Sequence, residues 1–180
     1  MAYSGITVPS YASLDQLKTH LGVSGTAEDT LLTSLLAAAD DFIHGYTGRW
    51  FSGVAATLRF DHRTIRGRSL FVDTDLLRIT SMTNGDGSLL VPEDYVLLPR
   101  NRTPSYEVAL TAGRVWYTEQ AIEIVGVWGY ADTPPAGVVQ AALEYAGGLY
   151  RSYDRTIHDM PVVTVAGAER LLRPYRRVGL

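Results

Sequence analysis

The side chains with the greatest potential for chemistry are four histidines, which lie far apart in the sequence. They are His20, His44, His62 and His158. None has a second histidine three or four residues away, whereas catalytic zinc requires three protein ligands. Asp40 and His44 form one acid–imidazole pair at i,i+4, which is more typical of an exposed helical ion pair than of a site. The histidines therefore indicate no metal site.

Nucleophile and phosphate-binding motifs are also absent from the sequence. The 180 residues contain no cysteine, which excludes thiolate chemistry and disulfides. No serine lies in a G-x-S-x-G elbow, and no stretch matches the phosphate loop G-x-x-x-x-G-K-[ST]. The stretch NGDGS at 84–88 shares residues with calcium loops but lacks the glutamate at the twelfth position, so it indicates a turn. We expect no catalytic activity, no metal and no cofactor.

One stretch combines basic and aromatic residues. FDHRTIRGRSLF, residues 60–71, brings Arg63, Arg66 and Arg68 close together and has a phenylalanine at each end. Such interleaving suits the binding of single-stranded nucleic acid. Aspartates bracket the run, however, and this favours a solvated strand face over a binding site.

The charge of the chain is unevenly distributed. The net charge is −3, with one lysine against fifteen arginines, and the last eleven residues, RLLRPYRRVGL, hold four arginines and no acid. The excess of arginine is typical of a GC-rich coding genome, and the alternative is selection for bidentate pairing with carboxylates or phosphates. A mildly acidic chain argues against a sequence-specific DNA-binding protein. No apolar run approaches the ~18 residues that span a bilayer, so we expect no membrane partner.

Helical patterns occur at both sides of the sequence. SLDQLKTHLG begins with a capping box from Ser13 to Gln16 and ends at Gly22. Residues 27–48 repeat apolar side chains at spacings of three and four, with acids in the first turn, and predict a second helix. A third helix follows the proline pair 134–135. Its glycines at 147–148 predict either an early end of the helix or close packing against another helix or subunit.

The middle of the chain changes to short alternating runs, which predict five to seven antiparallel strands. The residues Asn84-Gly85-Asp86-Gly87 lie between two such runs and predict a hairpin turn. The last run, AIEIVGVW, leads through Gly129 to the proline pair. We therefore predict that Trp128 and Tyr130 pack where the β-rich middle rejoins the helices.

These patterns predict an α+β protein: a small helical bundle module with an inserted antiparallel β-rich middle and an extended C-terminal tail. The predicted ranges are residues 1–54 for the N-terminal helical part, 55–131 for the β-rich insertion, 132–155 for the C-terminal helix of the module and 156–180 for the tail. The tail is predicted as a loop with a short strand, followed by one helical turn interrupted by Pro174. Because it is too short and polar to build its own core, it is either disordered or docks on a partner.

Three motifs occur in order along the chain. A helix that starts with acids closes in YTGR at 46–49, a strand ends in VWGY at 127–130 before a proline pair and a helix, and LLRPYRRV follows at 171–178. In this order and spacing they resemble the head–tail connector (adaptor, or head-completion) proteins of tailed bacteriophages. The resemblance covers both ends of the chain and leaves residues 55–120 without a matching motif.

This resemblance implies a structural protein, not an enzyme, that forms a ring, typically of twelve subunits, beneath the portal of a DNA-filled capsid. It implies a place in the neck of a virion that is assembled in the host cytoplasm. The implied partners are other copies of the chain, the portal protein, a head-closure (stopper) or tail-terminator protein, and double-stranded DNA that passes through the lumen without sequence-specific binding.

The resemblance also implies that the C-terminal segment reaches the portal. The residues of this docking segment are Arg170, Leu171, Leu172, Arg173, Pro174, Tyr175, Arg176 and Arg177. Apolar and aromatic side chains on the predicted helices and at their junction with the sheet are expected to pack between subunits or modules. They are Leu31, Leu35, Phe42, Tyr46, Trp128, Tyr130, Val139 and Leu149.

Two other classes of function stay open from the sequence. The β-rich middle could recognise a sugar or a partner peptide through Trp116, Tyr117 and Trp128, although aromatic residues around a small sheet are more often core or interface. An enzyme would require His62, His158 and acidic residues to converge, which the sequence does not show.

Overall fold

The computed structural model describes residues 6–153 and 165–177, which fall into two compact units. One unit contains residues 6–8 and Trp50–Thr133 and is built on a seven-stranded antiparallel sheet. The other contains Pro9–Arg49 and the described residues from 134 onward, and its regular structure is helical. The α+β class predicted from the sequence is therefore confirmed. No helix in the described ranges is both long and apolar enough to cross a membrane.

The helical unit has four α-helices in its described part. They are α1 Leu14–Leu21, α2 Asp29–Thr47, α3 Ala136–Tyr153 and α4 Val165–Leu172. The predicted capping box of α1 is present, since the Ser13 hydroxyl accepts from the Gln16 amide and the Gln16 side chain accepts from the Ser13 amide. Gly22 ends α1 in the left-handed conformation. Helix α3 packs against each of the other three helices.

The predicted apolar face of α2 is confirmed, because its side chains at spacings of three and four are the ones that the unit buries. They are Leu32, Leu35, Leu36, Ala39 and Ile43. Thr47 is also buried, and its hydroxyl donates to the carbonyl of Ile43, so the polar group costs little. The buried face of α2 therefore continues to the last residue of the helix.

Helix α3 continues through the glycine pair at 147–148. A Cβ atom at Gly147 would lie 3.3 Å from Cδ2 of His20 and 3.5 Å from Cδ2 of Leu21. The glycine therefore allows close packing against α1, and the alternative of an early helix end is wrong. This packing offsets the cost of about 1 kcal/mol that glycine carries in a helix.

The prediction of an extended tail over residues 156–180 is wrong for the part of this range that the structure describes. Within that range the structure describes residues 165–177, and these form α4 and a 3₁₀ turn, Arg173–Tyr175. Ala168 and Leu172, four residues apart, are both buried, and α4 packs against α3 and α2. The arginines give the segment a polar sequence, but within α4 the single arginine, Arg170, is exposed, while Ala168 and Leu172 lie on the buried face of an amphipathic helix. The loop and short strand predicted before it lie mostly outside the described residues.

Seven strands form the sheet. They are β1 Val54–Phe60, β2 Ile65–Arg66, β3 Ser69–Thr83, β4 Leu89–Leu90, β5 Tyr95–Leu98, β6 Ser105–Leu110 and β7 Ile122–Trp128. The strand order is β1-β7-β3-β6-β5, and the short β2 and β4 also pair with β3. The hairpin predicted at 84–87 is confirmed, because it joins β3 to β4.

Strand β3 joins two short apolar runs of the sequence, SLFV at 69–72 and LLRIT at 76–80, in one strand. Its first residues pair with β6 and its later residues with β7, and the register shifts between Phe71 and Leu76. The polar residues Asp73, Thr74 and Asp75 lie at this shift, and the last two are buried. They interrupt the apolar alternation, so a single bent strand looks like two in the sequence.

The core of the sheet unit gathers apolar side chains from β1, β3, β6 and β7. Its fully buried members include Leu70, Leu76, Met82, Val108, Ile122, Ile124 and Trp128. Burial along β7 alternates strictly, as expected for a strand with one face on a core. The sheet therefore encloses a hydrophobic core of its own.

Gly129 connects β7 to the following turn in a conformation that other residues rarely adopt. Its φ is +142°, its amide donates to the carbonyl of Asp75 at 2.7 Å, and a Cβ atom would lie 2.5 Å from the carbonyl oxygen of Ser52. The next amide, of Tyr130, donates to the carbonyl of Trp50 at 2.7 Å. The glycine is therefore required by both the backbone conformation and the close approach of a second segment.

We expect Gly129→Ala to lower the free energy of unfolding of the sheet unit by about 2–3 kcal/mol, because it adds both strain and a steric clash. Gly113→Ala is the matched control, since Gly113 also has a positive φ of +84° but nothing within 4 Å of its Cβ position. The control should cost about 1 kcal/mol from strain alone. Urea unfolding of the two variants measures the difference, and equal effects would contradict the close approach at Gly129.

Candidate functional site

The groups that could do chemistry do not converge in the described residues. His20 lies on α1, His44 on α2 and His62 on an exposed 3₁₀ turn, while His158 lies outside the described residues. No group of three or more histidines and acids in these ranges could hold a metal ion. Within residues 6–153 and 165–177 the structure shows no cluster of histidines and acids of the kind that the enzyme alternative would need, and His158, the second histidine of that alternative, lies outside these residues.

The predicted Asp40–His44 pair has the wrong electrostatics for a strong ion pair. Burial raises the pKa of Asp40, although the amide of Tyr11 donates to its carboxylate at 3.1 Å. Burial also lowers the pKa of His44. Both shifts disfavour the charged forms, whereas a strong ion pair would favour them. The pair belongs to the packing of α2.

A shallow hollow of about 370 Å³ lies on the helical unit. Its lining residues are Asp15, Gln16, Thr19, His20 and Leu143. It is open to solvent, and its polar groups come from adjacent turns of α1. The hollow offers neither a nucleophile beside an oriented base nor a set of donors for an oxyanion, so it has no catalytic arrangement.

The aromatic residues of the ligand-binding alternative do not form a shared platform. Trp128 is fully buried, and its indole N–H donates to the carbonyl of Ala56 at 3.0 Å. Trp116 is half-buried, and its indole N–H donates to the carbonyl of Arg68 at 2.9 Å. Of the three rings, Tyr117 alone is exposed, with 41% of its surface accessible to solvent. Stacking on a sugar or peptide needs exposed ring faces; Trp128 has none, and Trp116 is partly covered.

Asn84 has a role that sequence reasoning missed. Its side chain is buried, accepts from the amides of Gly85 and Tyr117 at 3.0 Å each, and donates to the carbonyl of Val115 at 3.0 Å. A Cβ atom at Gly85 would lie 2.2 Å from the carbonyl oxygen of Tyr117. The Asn-Gly turn thus fixes the loop that precedes β7 as well as reversing the chain. The spacing of the sequence signals the turn but not its distant partner.

The residues predicted to pack between subunits or modules differ in their exposure. Leu35 and Trp128 are buried in their own units. The others are half-buried: Leu31, Phe42, Tyr46, Tyr130, Val139 and Leu149. The ring of Phe42 stacks on that of Tyr145 with centroids 4.2 Å apart and also contacts Tyr46, with centroids 5.9 Å apart. Leu35 and Trp128 therefore have little surface to offer a neighbouring molecule.

The predicted docking segment, residues 170–177, has an inner and an outer side. Leu172 is fully buried, and the Arg177 amide donates to the carbonyl of Thr47 at 3.0 Å. The side chains open to solvent are Arg170, Arg173, Pro174 and Arg176, whereas Leu171, Tyr175 and Arg177 are half-buried. The guanidinium carbon of Arg176 lies 5.7 Å from the ring centroid of Tyr46. The segment is therefore attached to α2 and presents arginines outward.

Comparison with known proteins gives one family match and several structures with the same fold. Residues 11–69 match the family model described as phage gp6-like head-tail connector protein. No curated protein sequence matches the chain.

Three of the similar solved structures come from gene transfer agent (GTA) particles. One is the neck of an empty GTA particle computed with C6 symmetry, with 20% identity, a TM-score of 0.69 and coverage of 97% of this chain and 94% of that chain. A second is the virion of a native GTA particle, with 22% identity, a TM-score of 0.70 and coverage of 99% and 96%. The third is the neck of a native GTA particle computed with C12 symmetry, with 20% identity, a TM-score of 0.70 and coverage of 100% and 97%. At this level of identity the three structures show a common fold.

Proposed function

We propose that this chain, which matches the phage head-tail connector family over residues 11–69, is a structural adaptor in the neck of a phage-like particle. In this proposal it forms a ring that joins the portal to the head-closure or tail proteins, and double-stranded DNA passes through the ring. The chain binds no metal or cofactor and catalyses no reaction.

One observation carries the proposal: the family match and the fold agree on the same assembly. The match lies in α1, α2 and the start of the sheet unit, while the structures from GTA particles resemble the chain over 97–100% of its length. Two of those structures are necks with C6 or C12 symmetry. A closed ring of twelve copies of this chain would have C12 symmetry, which also contains the C6 symmetry.

A ring requires two different surfaces on each subunit, one for each neighbour. Six half-buried side chains of the predicted packing set retain exposed apolar area that such a contact would cover. They are Leu31, Phe42, Tyr46, Tyr130, Val139 and Leu149. Leu35 and Trp128, in contrast, stabilise their own units from within.

In this proposal the exposed side of residues 170–177 binds the portal. Arg170, Arg173 and Arg176 present guanidinium groups to solvent. Guanidinium binds carboxylates in a bidentate geometry, which fixes orientation as well as adding affinity. The buried Leu172 holds the segment in place and is not itself a contact for the portal.

Purified protein mixed with an isolated portal protein tests the proposal. We expect rings by negative-stain electron microscopy and a complex of many copies of this chain per portal by native mass spectrometry. The protein alone gives the control, since a ring protein can require its template to assemble. Failure of the protein to bind portal, together with a monomeric state under every condition, would overturn the proposal.

A further inference from the structure

The arginine-rich stretch of the sequence forms a short hairpin at the start of β3 with exposed arginine side chains. We call residues 62–68 the basic hairpin. It consists of a 3₁₀ turn, His62–Thr64, strand β2 and a tight turn at Gly67, whose φ is +61°. Strand β2 pairs with the start of β3 through Arg66 and Ser69. The side chains of Arg63, Arg66 and Arg68 are all exposed.

Three other arginines of the same unit form ion pairs with carboxylates, whereas the arginines of the basic hairpin do not. Arg59 pairs with Glu123 at 2.8 Å, Arg78 with Asp132 at 2.7 Å, and Arg114 with Asp94 at 2.7 Å. No carboxylate partner occurs for the basic hairpin among residues 6–153 and 165–177. Its three guanidinium groups therefore form no ion pair within the described part of the chain.

Local contacts hold the basic hairpin without engaging the N–H groups of its guanidinium side chains. The carboxylate of Asp61 accepts from the backbone amide of Arg63 at 2.8 Å and so caps the 3₁₀ turn. The guanidinium carbon of Arg66 lies 5.6 Å from the ring centroid of Phe71. A cation over a ring face keeps its N–H groups available at the edge of the guanidinium plane. These arginines can therefore donate to an oxyanion without breaking a contact.

The surroundings of the basic hairpin favour a phosphate backbone over an acidic protein. Protein interfaces are anchored by apolar and aromatic side chains, and charged residues are depleted at their centre. The exposed residues of the hairpin are instead all polar, charged or glycine. The large exposed apolar side chains of this unit lie outside residues 62–68: Leu89, Val91, Tyr106, Val115 and Tyr117.

Duplex DNA fits the basic hairpin better than single-stranded nucleic acid. Binding of single strands relies on bases that stack on open aromatic faces. Here Phe71 is half-buried under Arg66, and Trp116 is half-buried with its indole N–H bound to the carbonyl of Arg68. Both rings that contact these arginines, Phe71 and Trp116, are partly covered, which leaves little open ring face for stacking. Contacts to phosphate groups carry no sequence information, which suits a passing duplex.

We infer that the basic hairpin is the surface through which this chain contacts the phosphate backbone of the double-stranded DNA that passes through the ring. This inference rests on the proposed function. Each subunit contributes at most three phosphate contacts, so its binding is weak, salt-dependent and independent of sequence. Repetition around a ring centres the duplex, while each weak contact exchanges rapidly enough for the DNA to move.

The test compares two double variants of the full-length protein that remove equal charge from the same unit. R66Q/R68Q alters the basic hairpin, and R100Q/R102Q alters exposed arginines in the loop between β5 and β6. Fluorescence anisotropy with a labelled linear duplex gives the dissociation constant across about 50–200 mM salt. We expect R66Q/R68Q to reduce the slope of log K against log salt by about 2 and to weaken binding at least about tenfold near 0.1 M salt. R100Q/R102Q should change both quantities much less.

The same variants separate this inference from the function on which it rests. Ring formation and portal binding of R66Q/R68Q should equal those of the parent protein. Equal losses of DNA affinity in both variants, or a parent protein that does not bind the duplex, would overturn the inference and leave the adaptor function standing. Loss of portal binding in R66Q/R68Q with unchanged DNA affinity would assign the hairpin to an acidic protein partner and also overturn it.

Discussion

Replacing Trp128 with alanine should destabilise the sheet unit by about 3–5 kcal/mol, the range expected when a large buried aromatic side chain is truncated. Trp128 is fully buried at the end of β7 and lies in the hydrophobic core with side chains from β1, β3 and β6. Its ring contacts that of Phe60, with centroids 5.8 Å apart. The truncation therefore opens a cavity on the face of β7 that is buried in the core.

A hydrogen bond adds to the cost of the Trp128→Ala substitution. The indole N–H donates to the carbonyl of Ala56 on β1. Ala56 is paired with Gly126 of β7 in the sheet. Alanine leaves that partly buried carbonyl without its donor, and an unsatisfied buried group costs about 1–3 kcal/mol. Trp128→Phe separates the two effects, because it keeps most of the buried ring but removes the donor.

Hydrogen exchange measured by mass spectrometry checks the effect where it should occur. We expect faster exchange in peptides from β1 and β7, together with a lower urea midpoint for the sheet unit. Trp116→Ala is the control, since it makes the same change in the same unit at a half-buried position. A Trp128→Ala protein as stable as the Trp116→Ala protein would contradict the role of Trp128 as the centre of this core.

Elements whose pattern is complete within a few residues could be predicted from the sequence. The capping box of α1 joins residues three apart, the buried face of α2 repeats within each turn, and the Asn84–Gly87 turn joins adjacent strands. The resemblance to head–tail connectors is confirmed by the family match over residues 11–69, which includes the YTGR motif. Each of these depends on contacts near in sequence, and such contacts leave a readable period or spacing.

Features that depend on distant segments could not be predicted in the same way. Asn84 binds a loop more than thirty residues away, and Gly129 is required because the carbonyl of Ser52 approaches it. The sequence predicts one helical turn before Pro174, whereas helix α4 spans Val165–Leu172 and packs through Ala168 and Leu172, which lie four residues apart. In each case a partner elsewhere in the chain determines what the residue does, and the local sequence contains no record of that partner.

Leu172→Ala should destabilise the helical unit by about 2–5 kcal/mol, because Leu172 is fully buried where α4 packs against α3 and α2. The neighbouring Leu171 is half-buried, so Leu171→Ala is a matched control with a smaller expected loss. Urea unfolding measures the global effect, and hydrogen exchange in peptides from α3 and α4 locates it. Equal stability of the two variants would contradict the packing of α4 through Leu172.

Because Leu172 stabilises the helical unit, docking of the C-terminal segment on the portal must be tested without removing Leu172. Deleting the chain from Glu169 removes Leu172 as well as the arginines, so a loss of portal binding could follow from damage to the helical unit alone. R170Q/R173Q changes two exposed side chains and should alter stability by no more than about 0.5 kcal/mol. We expect this variant to keep its fold and to bind portal more weakly, with a reduced dependence on salt. Unchanged portal affinity in a folded R170Q/R173Q protein would remove these arginines from the docking surface and leave Leu172 with a purely internal role.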